Sequence, residues 1–371
     1  MKLANRLAEL RLERGLSAAQ LASAIGVRRQ TIYAIESGTY LPNTAVALKL
    51  ATTLGVTVEQ IFRAEAAPVL RREVEFLAHD GPAWRGQPVR LCSVGDKLIA
   101  TSPEPGTWSL PAADAFVTTT AAKSKQRTRT EVELLGGSRD FGKRLLMAGC
   151  DPGSSVLVRH LQRQEIDLVV QHCNSRRALR LLQEGVIHIA GCHIRDEQTG
   201  EFNLPAIRRL FRNQEVAAFS FALWEEGLVV GRGNPKHLRG IADLASPRVS
   251  IANREPGAGS RHLLDTQLRA LGMSGSSIRG YDRIADGHLP AARMVKAGEA
   301  DCCLATAATA RMLGLDFIPL ASTRYDLVVR RTHLDLPQVR ALLDTLAQAA
   351  FRRELECLGG YDPTQSGREL M

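Results

Sequence analysis

"GVRRQTIYAIESGTYLPN", residues 26–43, decides how the amino-terminal part of this chain folds. Gly26 turns the backbone, Ile32 and Ile35 supply the inner face of a short helix, and Pro42 closes the loop behind it. The other face of that helix offers Arg29, Gln30, Thr31 and Tyr33. Long polar side chains gathered on one face need a polar partner outside the bundle.

The flanking residues predict four more helices. Leu3, Leu7, Leu10 and Leu12 give an apolar stripe ended by Gly15, and Ser17 with Gln20 forms a capping box that opens a second helix. "TAVALKLATTLG", residues 44–55, predicts a fourth helix, and Thr57 with Gln60 seeds a fifth. The stretch from Leu16 to Phe62, with "QLA", "GV", "RQTI", "IESG" and "P" in order, resembles the Cro and phage-repressor (XRE-type) helix-turn-helix family. The resemblance implies an all-α, five-helix, DNA-binding head over 1–63. Its third helix would enter the major groove, with Arg29 suited to guanine, Gln30 to adenine, and Arg28, Thr31 and Tyr33 on the same surface. Gln20 and the amides opening the second helix would hold phosphate. A homodimer on an inverted-repeat operator is expected, with half-sites roughly 34 Å apart. Arg28 departs from the family, which usually has a small capping Ser or Thr there. A bundle that binds protein instead of DNA is the alternative reading of the same helices.

Bulk properties agree. With 371 residues and 44% hydrophobic content the chain can fill two or three domains, and its formal charge of +9 favours a polyanionic partner. Seven cysteines with no CxxC pair argue against a secreted disulfide scaffold. The first fifteen residues lack an apolar leader core, and no segment is long enough to span a bilayer. A cytoplasmic protein without a membrane partner is expected.

Residues 64–140 read as a small β-rich connector. "PVRLCSVGDKLIATSP" predicts a hairpin turning at Gly95-Asp96, "DAFVTTT" predicts another strand, and Pro103, Pro105 and Gly106 break the chain. "KSKQRTRTE" would put Lys123, Lys125, Arg127 and Arg129 on one face of a strand, as a phosphate contact; a solvated loop is the preferred reading.

From about Arg139, apolar strands alternate with helices. "RLLMAGC", "DLVVQHC", "VIHIAGC", "VSIANRE" and "DCCLAT" each precede a loop or helix, and a final helix is expected from Leu336 to Leu358. This pattern predicts a parallel sheet covered on both faces, with ligands held beyond the strands' carboxyl ends. "VVGRGNPKHLRGIADLA" resembles the crossover of type II periplasmic solute-binding proteins. Residues 141–331, through "GCDPGSS", "NREPGAGSRHLLD" and "LGLDFIPLASTRYDLVV", resemble the periplasmic-binding-protein-like domain that follows some helix-turn-helix units, with relatives among molybdopterin-biosynthesis-like proteins. The fold class expected is therefore multidomain, with a two-lobed α/β sensor over 141–358 and a tail over 359–371.

The resemblance implies ligand contacts in the loops after the strands. The first loop offers Asp151, Ser154 and Ser155; the second Asn174 and Ser175; the third His193 and Asp196. Across the cleft stand Arg254, Ser260 and Arg261, with His288 and Thr306 at later helix starts. Hydroxyls, amides and helix ends suit an oxyanion or carboxylate, although each alone also suits helix capping. His188 and Ala258 depart from the family, which favours an acidic residue and Ser there. The effector is left open among molybdate or tungstate, a pterin and an organic acid.

No GxSxG elbow, GxxxxGK[ST] loop, HExxH motif or paired carboxylates occur, so catalysis is not expected. Cys150, Cys173 and Cys192 each end a predicted strand, with His172 and His193 beside two of them. Gathered at one rim they would suit copper, zinc or a redox switch; small buried residues at strand ends is the plainer reading, and no metal is expected. The function expected is a ligand-responsive transcription regulator. The alternatives are a metabolic protein handling a molybdopterin-type intermediate without DNA, and an antitoxin-like repressor with an inert tail.

Overall fold

The computed structural model describes residues 3–64, 70–77, 83–102, 113–119, 127–135, 140–196, 198–212 and 214–371. They form two units, Met1–Val69 and Leu70–Met371.

In the first unit, strand β1 (Leu3–Asn5) precedes helices α1 (Leu7–Glu13), α2 (Ala18–Ile25), α3 (Arg29–Glu36), α4 (Thr44–Leu54) and α5 (Val58–Ile61), and β2 (Phe62–Ala64) pairs back on β1. Both expected capping boxes form: Ser17 Oγ accepts from Gln20 N at 3.2 Å while Gln20 Oε1 accepts from Ser17 N at 2.8 Å, and Thr57 and Gln60 repeat the exchange. Gly26, at φ 77°, ends α2 in the left-handed region where a side chain would be strained. Leu7, Leu10, Leu21, Ile25, Ile32, Ile35, Leu50 and Leu54 make the core.

The amino-terminal stripe needs correction. Leu3 lies in β1 and Leu12 is 66% exposed, because the helix begins only at Leu7 and its inner face is Leu7, Leu10 and Arg11. Arg11 is tolerated inside because its Nε donates to Glu36 at 2.6 Å and its Nη1 to the Leu16 carbonyl at 2.8 Å. Arg28 caps α3 with extended backbone and no side-chain bond.

The second unit opens with β3 (Arg71–Leu77), β4 (Pro88–Val94), β5 (Lys97–Thr101), β6 (Ala115–Val117) and β7 (Arg127–Leu134), closed as a barrel in the order β3-β5-β4-β6-β7. The β4–β5 hairpin turns at Gly95, φ 60°, with Val94 opposite Lys97. Val74, Phe76, Val89, Leu91, Ala100, Val117 and Val132 fill the interior. Arg127 and Arg129 are in strand rather than loop, Arg129 pairing with Glu75, because Thr130 and Val132 alternate into the barrel. Lys123 and Lys125, like Pro103, Pro105 and Gly106, lie outside the described residues.

The remainder contains β8 (Arg144–Gly149), α6 (Ser154–Gln162), β9 (Asp167–His172), α7 (Ser175–Gln183), β10 (Ile189–Cys192), α8 (Leu204–Leu210) and the fifteen-residue β11 (Val216–Val230). Then come β12 (Ile251–Arg254), α9 (Gly259–Ala270), β13 (Ile284–Ala285), α10 (His288–Lys296), β14 (Cys302–Thr306), α11 (Ala307–Leu313) and a second fifteen-residue strand, β15 (Asp316–Arg330). Helices α12 (Pro337–Ala347) and α13 (Ala349–Cys357) and strand β16 (Tyr361–Asp362) end the chain. The sheet runs β13-β12-β14-β11-β15-β10-β8-β9, with β16 on β11.

The expected parallel sheet is thus a mixed one. Each lobe keeps a parallel trio, but β11 and β15 lie antiparallel to each other and to β14 and β10, carrying the sheet from one lobe to the other. The expected final helix is two, broken at Gln348, whose extended backbone (ψ 134°) turns Phe351 and Leu355 into the core already holding Leu342 and Leu346. Residues 359–371, read from sequence as a tail, are docked: Tyr361 pairs with Trp224 and is buried.

The barrel is tied to the first lobe by charge. Arg144 donates to the Leu91 carbonyl at 2.9 Å and pairs with Asp114 at 2.5 Å and Asp167 at 2.7 Å; Arg90 reaches Asp114 at 3.3 Å. His188, 3% exposed, accepts from Leu146 N through Nδ1 at 3.0 Å. Burial, helped by His333, lowers its pKa to about 4. A base whose folded pKa is depressed contributes stability present above its unfolded value, about 6.5, and lost as pH falls through the folded one. His188→Asn keeps an acceptor for Leu146 but removes the titration. Between pH 6.5 and 4 the wild type should lose of order 3 kcal/mol more stability than this variant, measured by urea unfolding; parallel pH profiles would refute the assignment.

Candidate functional site

The outer face of α3 presents Arg29, Gln30 and Tyr33 exposed and Thr31 half-buried, with Arg28 exposed at its start. Arg29 Nη2 donates to Tyr33 Oη at 2.8 Å and stacks 5.2 Å from the ring centroid, so the two side chains are held upright together. Gln20 is exposed, with its carboxamide oxygen used by the capping box.

In the second unit the loops after β8, β9, β12 and β13 surround a cleft of about 710 Å³, where the amino termini of α6, α7 and α10 converge. Its wall includes Cys150, Ser154, Ser155, Cys173, Asn174 and Arg177 on one side, and Arg254, Glu255, His288 and Arg293 on the other. Arg254 is 1% exposed. Its Nε and Nη2 donate to Glu255 at 2.9 and 3.0 Å, while Nη1 is buried with no hydrogen-bond partner.

Beside Arg254 lies an aromatic nest. Trp224 meets the rings of His193 and His288 at centroid distances of 4.9 and 5.4 Å, and the two imidazoles are 5.7 Å apart. A Cβ on Gly259 would meet the His193 ring at 2.5 Å, so that helix start needs glycine. His193 Nε2 and both ring nitrogens of His288 are buried without hydrogen-bond partners. Burial, with the Arg254 charge, lowers the His193 pKa to about 3 and that of His288 well below its ordinary value, so both stay neutral near pH 7. Burial raises Asp151 to about 7, against hydrogen bonds from Tyr361 and Gly153.

Five of the twelve ligand residues expected from sequence line the cleft: Ser154, Ser155, Asn174, Arg254 and His288. Even among these, Ser154 and Ser155 donate to the Asp151 and Pro152 carbonyls and Asn174 Oδ1 caps Arg177. The other seven are not on its wall. Asp151 is beneath it with Tyr361, His193 lies in the aromatic nest, and Ser175 Oγ accepts from His193 N at 3.0 Å. Asp196 holds its own loop and Arg209, Ser260 donates to buried Glu226, and Thr306 caps α11. Arg261 stacks 4.1 Å from the Tyr281 ring centroid and donates to the Arg254 carbonyl, steadying the arginine from behind.

The three thiols do not form one ligand set. Cys192 follows the strand alternation into the core with Ala148 and Ala190, whereas the chain turns after Gly149 and sends Cys150 to the opposite core. Cys173 lines the cleft. Burial raises the thiol pKa of all three, Cys173 to about 12, so none is poised as a thiolate. Among the described residues, Cys150, His193 and His288 are instead the group whose ligand atoms lie within 4.8 Å of one another.

Sequence reasoning missed Trp224, Glu226, Glu255 and Tyr325. For Trp224 and Glu226 the signal was a tryptophan and two glutamates inside the apolar run "VAAFSFALWEEGLVV", which no edge or turn explains.

Comparison with known proteins agrees with this architecture. Residues 158–347 match a PBP superfamily domain and residues 7–61 a helix-turn-helix. The chain is 32% identical over 229 residues, 61% of its length, to the uncharacterized protein YvgK of Bacillus subtilis (strain 168), covering 73% of that protein. Its head is 40% identical over 58 residues, 16% of the chain, to the uncharacterized HTH-type transcriptional regulator YgzD of the same organism, covering 88% of it. Among solved structures, the periplasmic molybdate-binding protein of Azotobacter vinelandii aligns over 59% of this chain and 98% of its own at 12% identity, with a TM-score of 0.45. Among the described residues no helix is long and apolar enough to cross a membrane. The chain belongs to the PBP superfamily, and it carries that domain behind an XRE-type helix-turn-helix head.

Proposed function

We propose that this protein is a one-component transcription regulator in which the α3 face reads an inverted-repeat operator, as a homodimer, and the cleft of the second unit binds a small intracellular effector. What carries the reading is a cleft wall with buried, unanswered hydrogen-bonding groups, Arg254 Nη1 and the two His288 nitrogens, on the same chain as a helix-turn-helix. Such groups cost free energy unless something answers them, and a solute does so. The Arg254 guanidinium and the converging helix starts favour an oxyanion, such as molybdate or tungstate, or an anionic pterin. No catalytic role is assigned. The effector regulates only if it binds the operator-competent and operator-free arrangements unequally.

The test is a mobility-shift titration on inverted repeats selected from random sequence. Arg29→Ala and Gln30→Ala should each lower affinity by about 1–3 kcal/mol at one base position and relax preference there. Affinity should also fall steeply with salt. Equal binding of every sequence would reject specific regulation. On the sensor side, an effector at about 100 times its Kd should raise unfolding stability by about 2.7 kcal/mol, so a thermal-shift screen of oxyanions and pterins identifies it.

A further inference from the structure

We propose that Cys150, His193 and His288 form a binding site for a single thiophilic d¹⁰ cation, Zn²⁺ or Cu⁺, at the floor of the cleft. The inference shares the cleft with the sensor reading and names a ligand class for it, but stands without any operator.

Three separate elements bring these residues together: the loop after β8, the end of β10 and the start of α10. Their ligand atoms all lie within 4.8 Å of one another and all three residues are buried. Donors around a tetrahedral zinc, at about 2.0–2.3 Å from it, stand roughly 3.5 Å apart, so side-chain rotations of the order of an ångström complete the site. The imidazoles are already oriented, by Trp224 against both rings and by Gly259 against His193. His193 and His288 are each 1% exposed, yet His193 Nε2 and both His288 nitrogens have no hydrogen-bond partner. A buried imidazole kept only for packing normally satisfies at least one nitrogen, and His288 satisfies neither; a metal ion would take the one lone pair that each neutral ring offers.

The donor set selects the ion. One thiolate and two imidazoles suit zinc or copper and leave oxygen-seeking cations poorly served. As the sulfur–metal bond forms, the Cys150 thiol proton passes to solvent. Cu⁺ with the thiolate is neutral beside the Arg254–Glu255 pair. Zn²⁺ leaves one positive charge, which an anionic solute cancels by taking the fourth position from the cleft.

The experiment uses the full chain, purified reduced and metal-free. Co²⁺, as a spectroscopic stand-in for zinc, is expected to bind at one equivalent with a thiolate-to-cobalt charge-transfer band that Zn²⁺ abolishes; Cu⁺ is titrated against a competing chelator to decide between the two ions. Cys150→Ser should remove the band, and it and His288→Gln should each weaken binding at least about 100-fold, the upper end for an outer-shell change. Cys173→Ser should leave both unchanged. Melting curves establish that each variant is folded, and His288→Gln decides if Cys150→Ser is not. No uptake of any of these ions by the wild type overturns the site, as does stoichiometric uptake that survives in the folded ligand variants. Operator binding is measured on the same samples: DNA binding without metal uptake removes this site and leaves the regulator, and metal uptake without DNA binding does the reverse.

Discussion

Glu255→Ala is expected to destabilise the second unit by about 3–5 kcal/mol. Arg254 is 1% exposed, and both of its directed hydrogen bonds run to Glu255. Removing that carboxylate leaves a cation in a low-dielectric wall. Glu226, the other carboxylate acting on Arg254, is fully buried and its own pKa is pushed up by burial, so it compensates poorly. The measurement is the urea midpoint at unchanged m-value. Replacing both partners, as Arg254→Met with Glu255→Leu, should recover most of the loss, since an apolar pair leaves no charge unanswered. Molybdate or sulfate should raise the melting temperature of Glu255→Ala more than that of the wild type, because the guanidinium is then unpaired. If Glu255→Ala unfolds at the wild-type midpoint, the pair is not what holds Arg254 in the wall.

The second large effect is steric. Gly149 and Gly191 sit side by side on β8 and its neighbour β10, and a Cβ on either would collide with the Tyr325 hydroxyl. Tyr325 is fully buried among Phe221, Trp224 and His193, so it cannot swing away. Gly191→Ala should therefore cost about 3 kcal/mol, the upper end of ordinary overpacking. Tyr325→Phe removes the hydroxyl but keeps the ring carbons that a Cβ on Gly191 would meet at 2.5 and 2.9 Å, so it should restore only part of that loss; in a Gly149→Ala background, where the hydroxyl alone stands within 3 Å and the next atom is Gly191 Cα at 3.3 Å, it should restore most. Both couplings are read from double-mutant cycles in urea. A Gly191→Ala variant as stable as the wild type would show that the strands move apart freely at this point.

Local chemistry made much of the fold legible. The capping boxes at Ser17 and Thr57, the turns at Gly26 and Gly95, and the strand starts of the sensor are all written within a few residues of where they act. Errors fell where the neighbour that matters is distant. Leu12 looked like core because leucine usually is, yet the helix start at Leu7 put Arg11 inside, where Glu36 and the Leu16 carbonyl answer its charge and donors. Arg129 looked like loop because cations are solvated there, yet its strand is fixed by the inward alternation of Thr130 and Val132 against β3. The long crossing strands were only partly visible, since a continuous apolar run does not reveal the direction of its partners.

The candidate cleft divides in the same way. From the residues alone came the helix-turn-helix face, the loops that end the strands, and Arg254 and His288 within them. Tertiary structure decided which polar groups are spent on caps, as Asn174 and Thr306 are, and which are left facing the cleft or one another. It also set Cys150, His193 and His288 together from elements far apart in the chain. Capping is a bond between residues three apart, so sequence spacing contains it; a converging site depends on how a whole sheet twists and pairs, and no local spacing records that.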